Sequence, residues 1–138
     1  MLPTSLFKWT AIALVTLGVG AASTHQAAAQ DVPVIIGQDG PGYDACGSSG
    51  RVVNLNPDGD NYLSVRARPS VNGAELDRLG PGFVVSMCSQ NGRWIGIVYA
   101  PNGQGSCGVG TPVPSPRPYE GNCRSGWVFN KYIELFAG

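Results

Sequence analysis

Four cysteines carry the most definite chemistry in this sequence: Cys46, Cys88, Cys107 and Cys123. Cysteines bind zinc when they or histidines recur at close spacing, whereas an even number in an oxidising compartment pairs into disulfides. The gap from Cys107 to Cys123 is too wide for a zinc site, and the single histidine is His25, near the amino terminus. We therefore predict two disulfides and no metal site, with buried free thiols as the alternative and three pairings possible.

Carboxylate pairs are the second group of residues with possible chemistry. Asp58 with Asp60, or Glu75 with Asp77, could form the pair that glycoside hydrolysis requires. The acid of such a pair needs apolar surroundings that raise its pKa, and both pairs fall in turns without them. Nucleophilic catalysis usually also needs a histidine base, and the chain after position 29 contains none. We therefore predict no catalytic residues and no enzymatic activity.

A partial calcium-loop pattern overlaps the first of these pairs. Its positions one, three, five and six are filled by Asn54, Asn56, Asp58 and Gly59. Position twelve, where a bidentate glutamate belongs, is Val65. An Asp-Gly pair between alternating runs is a strong hairpin signal, because glycine accepts positive φ without steric cost. We predict a hairpin joining Arg51–Asn56 to Tyr62–Arg66, and no cofactor.

The first 29 residues have the pattern of a secretory signal peptide. Lys8 supplies the positive charge, an apolar run extends from Trp9 to Gly20, and small residues end at Ala27–Ala29. A membrane anchor is the alternative, but a transmembrane helix needs roughly 20 apolar residues, more than this run provides. We predict cleavage after Ala29, export to the periplasm or the medium, and no membrane insertion after cleavage.

Charge is balanced along the chain, with nine basic and nine acidic residues. A surface that binds nucleic acid needs a patch or stripe of Lys and Arg that neutralises phosphates. No such cluster is present, and the closest pair of arginines, Arg66 and Arg68, is only a pair. We therefore predict that nucleic acid is not a partner.

The elements that must position any site are short strands. Residues 30–50 form a Gly-rich leader, and residues 51–138 form one small domain. Strands are predicted at 83–88, 94–99, 126–129 and 133–136, with a tight helical turn at 130–132. Such strands, separated by Gly and Pro turns and lacking a 3.6-residue period, indicate an all-β fold. An irregular insertion rich in Gly, Pro and Ser occupies residues 100–125.

Four segments of this domain resemble, in order, motifs of bacterial SH3-like (SH3b) domains. The segment LSVRARPS at 63–70 is similar to LNVRSGPS, LDRLGPG at 76–82 to IGTLKKGT, NGRWIGI at 91–97 to NGGWYKV, and GWVFNKYI at 126–133 to GWVSSKYL. The resemblance implies a small five-stranded SH3-like barrel with a long first loop around residues 68–74. The disulfide-bound insertion at 100–125 and Arg68, in place of the usual glycine, depart from the family pattern.

The resemblance also implies where a ligand would bind. It places Trp94 and Tyr132 beside the first loop, where their rings would form a shallow groove with Tyr62 at its rim and Arg66 and Arg68 nearby. The alternative is that the rings pack in the core or at the barrel end. The side chains predicted to form the core are Leu63, Val65, Leu79, Val85, Ile97 and Trp127.

The layout of this domain favours one disulfide pairing among the three. Cys107 and Cys123 bracket the insertion, and Cys46 would then join the leader to Cys88 at the end of a strand. Alternating prolines in Pro112–Pro118 favour a polyproline II helix, which could cover the groove. The alternative for this tract is a rigid spacer inside a disulfide loop.

Two functions remain open from the sequence. The first is an exported, non-catalytic binding module that recognises cell-envelope peptide or glycan, such as peptidoglycan, through the aromatic groove. The second is a structural or inhibitory domain that binds another exported protein through the 100–125 loop. The first requires Trp94 and Tyr132 to lie exposed side by side. The second requires the insertion to protrude as an ordered loop.

Overall fold

A computed structural model describes residues 12–23 and 30–138 of the chain. The regular structure in these ranges is almost entirely β, as predicted. The strands are β1 (Ile35–Ile36), β2 (Ser48–Val52), β3 (Leu63–Arg66), β4 (Glu75–Leu79), β5 (Val84–Asn91), β6 (Trp94–Tyr99), β7 (Arg117–Pro118), β8 (Arg124–Phe129) and β9 (Ile133–Ala137). A single 3-10 turn in the described ranges, Asn130–Tyr132, joins β8 to β9.

Within the described ranges, seven strands form one antiparallel sheet in the order β4-β3-β8-β6-β5-β2-β9, and β1 pairs separately with β7. The ladder is open, because β4 and β9 at its two ends do not pair with each other. This differs from the closed barrel of five strands that we predicted. The strand of the large sheet for which no bounds were predicted is β4, which is short, charged and mostly exposed.

The predicted hairpin between residues 51–56 and 62–66 is wrong. The turn itself is present, since the Gly59 N–H donates to the Asn56 carbonyl at 3.1 Å and the Asp58 N–H to Asn56 Oδ1 at 3.0 Å. However, β2 pairs with β5 and β9, while β3 pairs with β4 and β8. An Asp-Gly turn reverses the chain locally, but the core that the strands share decides which strands pair.

A first core lies on one face of the large sheet and receives side chains from six of its strands. Alternation along each strand directs every second residue inward. The predicted core residues Leu63, Val65, Leu79, Val85 and Ile97 are all buried here, as predicted. Full burial of one such side chain contributes about 1.5–3 kcal/mol, so this core supplies much of the stability.

A second core, which the sequence analysis did not predict, covers the opposite face of β6 and β8. Its leader residues are Val34, Ile36, Ala45 and Cys46, its insertion residues Val109 and Val113, and its sheet residues Val98 and Trp127. The prediction that Trp127 is buried is confirmed, at 4% exposure. Burial on both faces explains why β6 reads as a continuous apolar run rather than an alternating one.

Hydrogen bonds and disulfides attach the leader and the insertion to the sheet. Trp127 Nε1 donates to the Val32 carbonyl at 2.7 Å, and the Tyr119 N–H donates to the Val34 carbonyl at 2.9 Å. The disulfides are Cys46–Cys88 and Cys107–Cys123, as the layout favoured. Such bonds form and persist in oxidising compartments.

The proline tract lies with the leader. Its last two residues form β7, which pairs with β1, and Val113 is buried in the second core. These contacts make the tract part of the second layer of the protein. The tract is therefore neither a cover for the aromatic residues nor a simple spacer.

Most of the predicted signal peptide lies outside the described residues, including Lys8, His25 and the cleavage position at Ala27–Ala29. Residues 12–23 are exposed and contain no regular secondary structure. No helix among the described residues has both the length and the apolar character needed to span a bilayer.

Candidate functional site

An open groove of about 690 Å³ lies between the β3–β4 hairpin, the β2–β3 connection and the 3-10 turn. Aromatic, amide-bearing and charged side chains line it together with a few aliphatic ones. The lining residues are Asn54, Leu55, Asn56, Asp60, Tyr62, Leu63, Ser64, Arg66, Val71, Glu75, Trp94, Phe129, Lys131 and Tyr132. Four of the five residues predicted to bind a ligand are therefore together in one groove, and we call it the aromatic groove.

Three aromatic rings form one wall of the aromatic groove. The Trp94 and Phe129 ring centroids are 5.6 Å apart at an interplanar angle of 68°, and those of Phe129 and Tyr132 are 6.5 Å apart at 54°. Trp94 and Phe129 are directly opposite each other on β6 and β8. All three rings are half-buried, so each combines a packing contact with an exposed edge or face.

Both interpretations of Trp94 and Tyr132 therefore apply in part. Trp94 packs against the second core and Tyr132 against the first, yet both line the groove. Their backs are held by apolar contacts, which reduces the conformational entropy that binding would otherwise cost. The wall is thus preformed rather than assembled by a ligand.

Phe129 is the lining residue that the sequence analysis missed. It separates the two predicted rings and contacts both, so the wall depends on it. The available signal was strand alternation, because Phe129 lies two residues after Trp127 and so points to the same face of β8. The Trp94–Phe129 register could then have been inferred from the pairing of β6 with β8.

Tyr62 also lines the aromatic groove and contacts a charged neighbour. The Arg78 guanidinium carbon is 4.3 Å from the Tyr62 ring centroid, a cation–π distance. Glu75 orients Arg78 through an ion pair of 2.7 Å and accepts a hydrogen bond from Ser64 at 2.6 Å. The hydrogen bond from Ser64, followed by that from Arg78, lowers the pKa of Glu75.

Arg66 lines the groove, and one hydrogen bond of its guanidinium serves the fold. Its Nη1 donates to the Gly73 carbonyl at 3.0 Å and fixes the loop between β3 and β4. At the tip of that loop Val71 is 71% exposed and faces the groove. Arg66 therefore positions the loop that carries Val71.

Arg68 does not line the groove, contrary to the prediction. β3 ends at Arg66, and the Ser70 N–H donates to the Arg68 carbonyl at 2.8 Å in the turn that follows. The two-residue alternation that would keep Arg66 and Arg68 on one face therefore stops between them. The prediction had placed Arg68 in the first loop, and it does lie there, but that position does not bring it into the groove lining.

The two residues that follow β2 hold the 3-10 turn that carries Tyr132. The Asn54 side chain donates to the Lys131 carbonyl at 2.9 Å, and the Val53 N–H donates to the Tyr132 carbonyl at 2.9 Å. Asn54 adopts φ of 60°, a left-handed conformation that Asn tolerates better than most residues. Lys131 places its ammonium 5.6 Å from the Tyr132 ring centroid.

The charges that line the groove are balanced. Asp60 and Glu75 oppose Arg66 and Lys131, and the amides of Asn54 and Asn56 add neutral donors and acceptors. Electrostatic complementarity selects partners by the sign and placement of charge. A neutral or zwitterionic ligand therefore suits the groove better than a polyanion.

Glu75 and Asp77, the second candidate carboxylate pair, accept hydrogen bonds from different side-chain donors. Asp77 Oδ2 accepts hydrogen bonds from Tyr99 at 3.0 Å and from Arg124 at 2.9 Å. Burial favours the neutral form of Asp77, but these bonds and one from the Arg78 N–H outweigh it and lower the pKa. A general acid in glycoside hydrolysis needs a raised pKa, and the pKa of each carboxyl is shifted the other way.

Comparison with protein families, curated proteins and solved structures finds no match to this chain.

Proposed function

We propose that this protein is a non-catalytic binding module of the bacterial SH3-like kind and that the aromatic groove is its ligand site. The four segments that resemble the family lie on or beside β3, β4, β6 and β8 of one antiparallel sheet, and the connection between β3 and β4 coincides with the long first loop, which supports this assignment. A 3-10 turn before the last strand matches the turn in the motif GWVFNKYI. The second layer is then an elaboration on the outside of the module.

We propose cell-envelope peptide or glycan, such as peptidoglycan, as the ligand. The observation that carries this proposal is the row of half-buried rings, Trp94, Phe129 and Tyr132, in a groove that amide-bearing residues also line. Aromatic faces pack against the apolar parts of peptides and sugars, while a few polar groups fix orientation. The balanced charge of the groove suits such ligands, which carry both amide and ionic groups.

Export belongs to the same proposal. The sequence before Gln30 has the composition of a signal peptide, and two disulfides suit an oxidising compartment. The ligand and the protein would then meet outside the cytoplasm. Amino-terminal sequencing of the protein recovered from the periplasm or medium tests this step, with Gln30 expected as the first residue.

A binding assay on purified peptidoglycan and its soluble fragments tests the ligand assignment. We expect Trp94→Ala to weaken binding by about tenfold or more, corresponding to about 1.4 kcal/mol or more. Tyr43→Ala is the matched control, because Tyr43 is an exposed aromatic residue, 66% accessible, outside the groove. Unfolding curves check that both variants fold. Equal binding by the two variants would contradict the assignment.

Protein binding through the 100–125 loop is less well supported by the geometry. The apolar residues Val109 and Val113 of this insertion are buried in the second core, and Cys107–Cys123 closes the insertion on itself. Their burial gives the insertion a structural role. The exposed residues of the insertion, in 101–106, 110–112, 114–118 and 120–122, are mostly Gly, Pro and polar residues.

A further inference from the structure

Two rings of the aromatic groove, Trp94 and Phe129, lie on the face of the sheet that the leader covers. On β6, Trp94 and Val98 contact the second core, whereas Ile95 belongs to the first core. Phe129 lies directly opposite Trp94 on β8 and therefore points to the same face. The third ring, Tyr132, packs against the first core instead. The two cores therefore support different parts of the ring wall.

Gly96 leaves an empty place beside Trp94 on this face. It lies two residues further along β6, directly opposite Trp127 on β8 and Ser89 on β5. Residues two apart on a strand point to the same face and lie about 7 Å apart. Because Gly96 has no side chain, it cannot support the Trp94 ring from that side. Other residues must fill the place.

Val34 of the leader fills the space above Gly96. A β-carbon at position 96 would lie 3.1 Å from Val34 Cγ1 and 3.4 Å from the Trp127 ring, and it would also meet Ser89 Oγ. Val34 is 2% exposed and Trp127 is 4% exposed. The leader side chain therefore takes the position that a side chain of residue 96 would otherwise hold.

The main chain around Val34 is fixed from three directions. The Val32 carbonyl accepts a hydrogen bond from Trp127 Nε1 at 2.7 Å, and the Val34 carbonyl accepts one from the Tyr119 N–H at 2.9 Å. The Cys46–Cys88 disulfide attaches the leader to β5. Val34 is therefore held over Gly96 by contacts with β8, the insertion and β5.

We propose that Val34 is a positioning residue of the aromatic groove, which holds the Trp94 ring toward the groove without lining the groove itself. A side chain keeps one orientation when neighbours surround it, and a space beside a ring removes those contacts. Without Val34, the Trp94 ring gains room to move over Gly96 and withdraw from the groove. The effect on ligand binding rests on the proposed function, whereas the position of the ring does not.

Nuclear magnetic resonance of the exported protein tests the position of the ring. In Val34→Ala, the nuclear Overhauser contacts between the Trp94 and Phe129 rings should lose most of their intensity. Val85→Ala is the matched control, because Val85 is also 2% exposed but lies in the first core. It removes the same two carbons and should leave the ring contacts unchanged.

Val34→Thr separates position from stability. Threonine keeps the shape of valine but buries a hydroxyl, so this variant should be destabilised and yet retain the ring contacts. A merely structural role for Val34 would instead lose the contacts in step with stability. Urea unfolding measures the stability of each variant and establishes that it is folded. If Val34→Ala does not fold, Overhauser contacts between the Val34 methyl groups and the Trp94 ring in the original protein replace it, and their absence overturns the proposal.

Titration with soluble peptidoglycan fragments tests the effect on binding. We expect Val34→Ala to raise the dissociation constant about fivefold, and Val85→Ala and Val34→Thr to leave it within about twofold. Both alanine variants should be destabilised, since each removes buried carbons from a core. A loss of affinity in Val34→Ala alone therefore reports on the position of Trp94.

Unchanged ring contacts in Val34→Ala overturn the proposal, whatever the protein binds. Equal loss of ring contacts in Val85→Ala also overturns it, because the ring would then follow overall stability. An original protein that binds no fragment, together with a displaced ring in Val34→Ala, would remove the proposed function and support the positioning role of Val34.

Discussion

Phe129 shows how one residue can determine the shape of a binding wall without being its most exposed member. Its ring contacts Trp94 on the neighbouring strand and Tyr132 across the 3-10 turn. Removing it leaves a gap behind both rings, and a side chain without neighbours on one side loses its packing contacts there. The orientation of Trp94 and Tyr132 therefore depends on Phe129.

We expect Phe129→Ala to lower ligand binding about as much as Trp94→Ala and to lower the free energy of unfolding by about 1–2 kcal/mol, since the ring is only half-buried. Phe83→Ala is the matched control. Phe83 is also half-buried and packs edge-on against Tyr99 at 5.9 Å, but it does not line the groove. Binding titrations and urea unfolding measure the two effects. Equal loss of binding in both variants would show that Phe129 acts only through stability.

Asp77 makes a pH-dependent contribution to stability. Burial opposes its ionisation, but its hydrogen bonds prevail, so its pKa lies below the ordinary value of 3.8. The unfolded chain then binds the proton more readily than the folded protein, and acid favours unfolding. The stabilisation is complete above the ordinary pKa and is lost as pH falls through the lower, folded pKa.

We expect Asp77→Asn to destabilise the protein at neutral pH and to flatten its loss of stability below about pH 4. Tyr99→Phe removes one of the donors to Asp77 and should give an intermediate slope. Urea unfolding at a series of pH values measures the slopes. An unchanged acid slope in Asp77→Asn would assign the acid sensitivity to other groups, with Glu75 the first to examine because its pKa is also lowered.

The residues of the groove were predictable where a motif fixed their place in the chain. Trp94, Tyr132 and Tyr62 each begin or end a recognisable run, and the structure brings them together in one groove. Arg68 was placed correctly in the first loop, but the sequence of a loop does not fix which of its side chains line the groove. Phe129 was missed because its role depends on a neighbour in another strand, which the local sequence does not specify.

At the scale of elements, the best-predicted strand was the one with the strongest pattern. The bounds Trp94–Tyr99 agree with β6, because its apolar run is flanked by a tight turn and a proline. The connection between β2 and β3 was misread because its turn is local, whereas the partners of both strands are distant in sequence. Pairing of this kind follows from the core and is not encoded in the turn.

The second core was not predicted for a related reason. The leader shows one short apolar run, and its burial becomes evident only when the outer face of β6 and β8 is available to receive it. Val98 and Trp127 provide that face. Whether a short apolar segment is buried therefore depends on a surface contributed by another part of the chain.

The two disulfides should differ in their contribution to stability. In the chain-entropy account a disulfide stabilises more when it closes a longer loop. Cys46–Cys88 joins residues 42 positions apart and Cys107–Cys123 joins residues 16 apart. We expect the Cys46→Ala/Cys88→Ala variant to lose about 4 kcal/mol and the Cys107→Ala/Cys123→Ala variant about 3 kcal/mol.

Urea unfolding of the two variants measures this difference. A reductant should destabilise the original protein and have no effect on a variant that lacks all four cysteines. The reverse order of the two losses would contradict the loop-length account. It would indicate that packing of the cysteines in the second core contributes more to stability than loop closure does.

At the scale of the whole molecule, two cores enclose a central pair of strands. β6 and β8 are covered on both faces, whereas the β3–β4 hairpin and β9 each have an exposed side. Local opening is rarest where backbone hydrogen bonds are surrounded by buried side chains. The strands in the middle should therefore open only when the whole protein unfolds.

Hydrogen exchange tests this expectation. The amides of Ile97, Val98 and Val128 should exchange most slowly, with an opening free energy close to that of global unfolding. The amides of β4 and β9 should exchange faster by local opening. Protection of β4 equal to that of β6 would show that the large sheet unfolds as one unit.

The position of β2 has a consequence for how the protein is made. This strand fits between β5 and β9, so its outer partner is the segment Ile133–Ala137, synthesised more than eighty residues later. Folds whose contacts join distant parts of the chain form slowly, because a long loop must close before those contacts are gained. A ribosome would therefore release an unfolded polypeptide, with the sheet completed only afterwards. For a polypeptide proposed to be threaded through a narrow translocation channel, late closure keeps it in the form that such a channel admits.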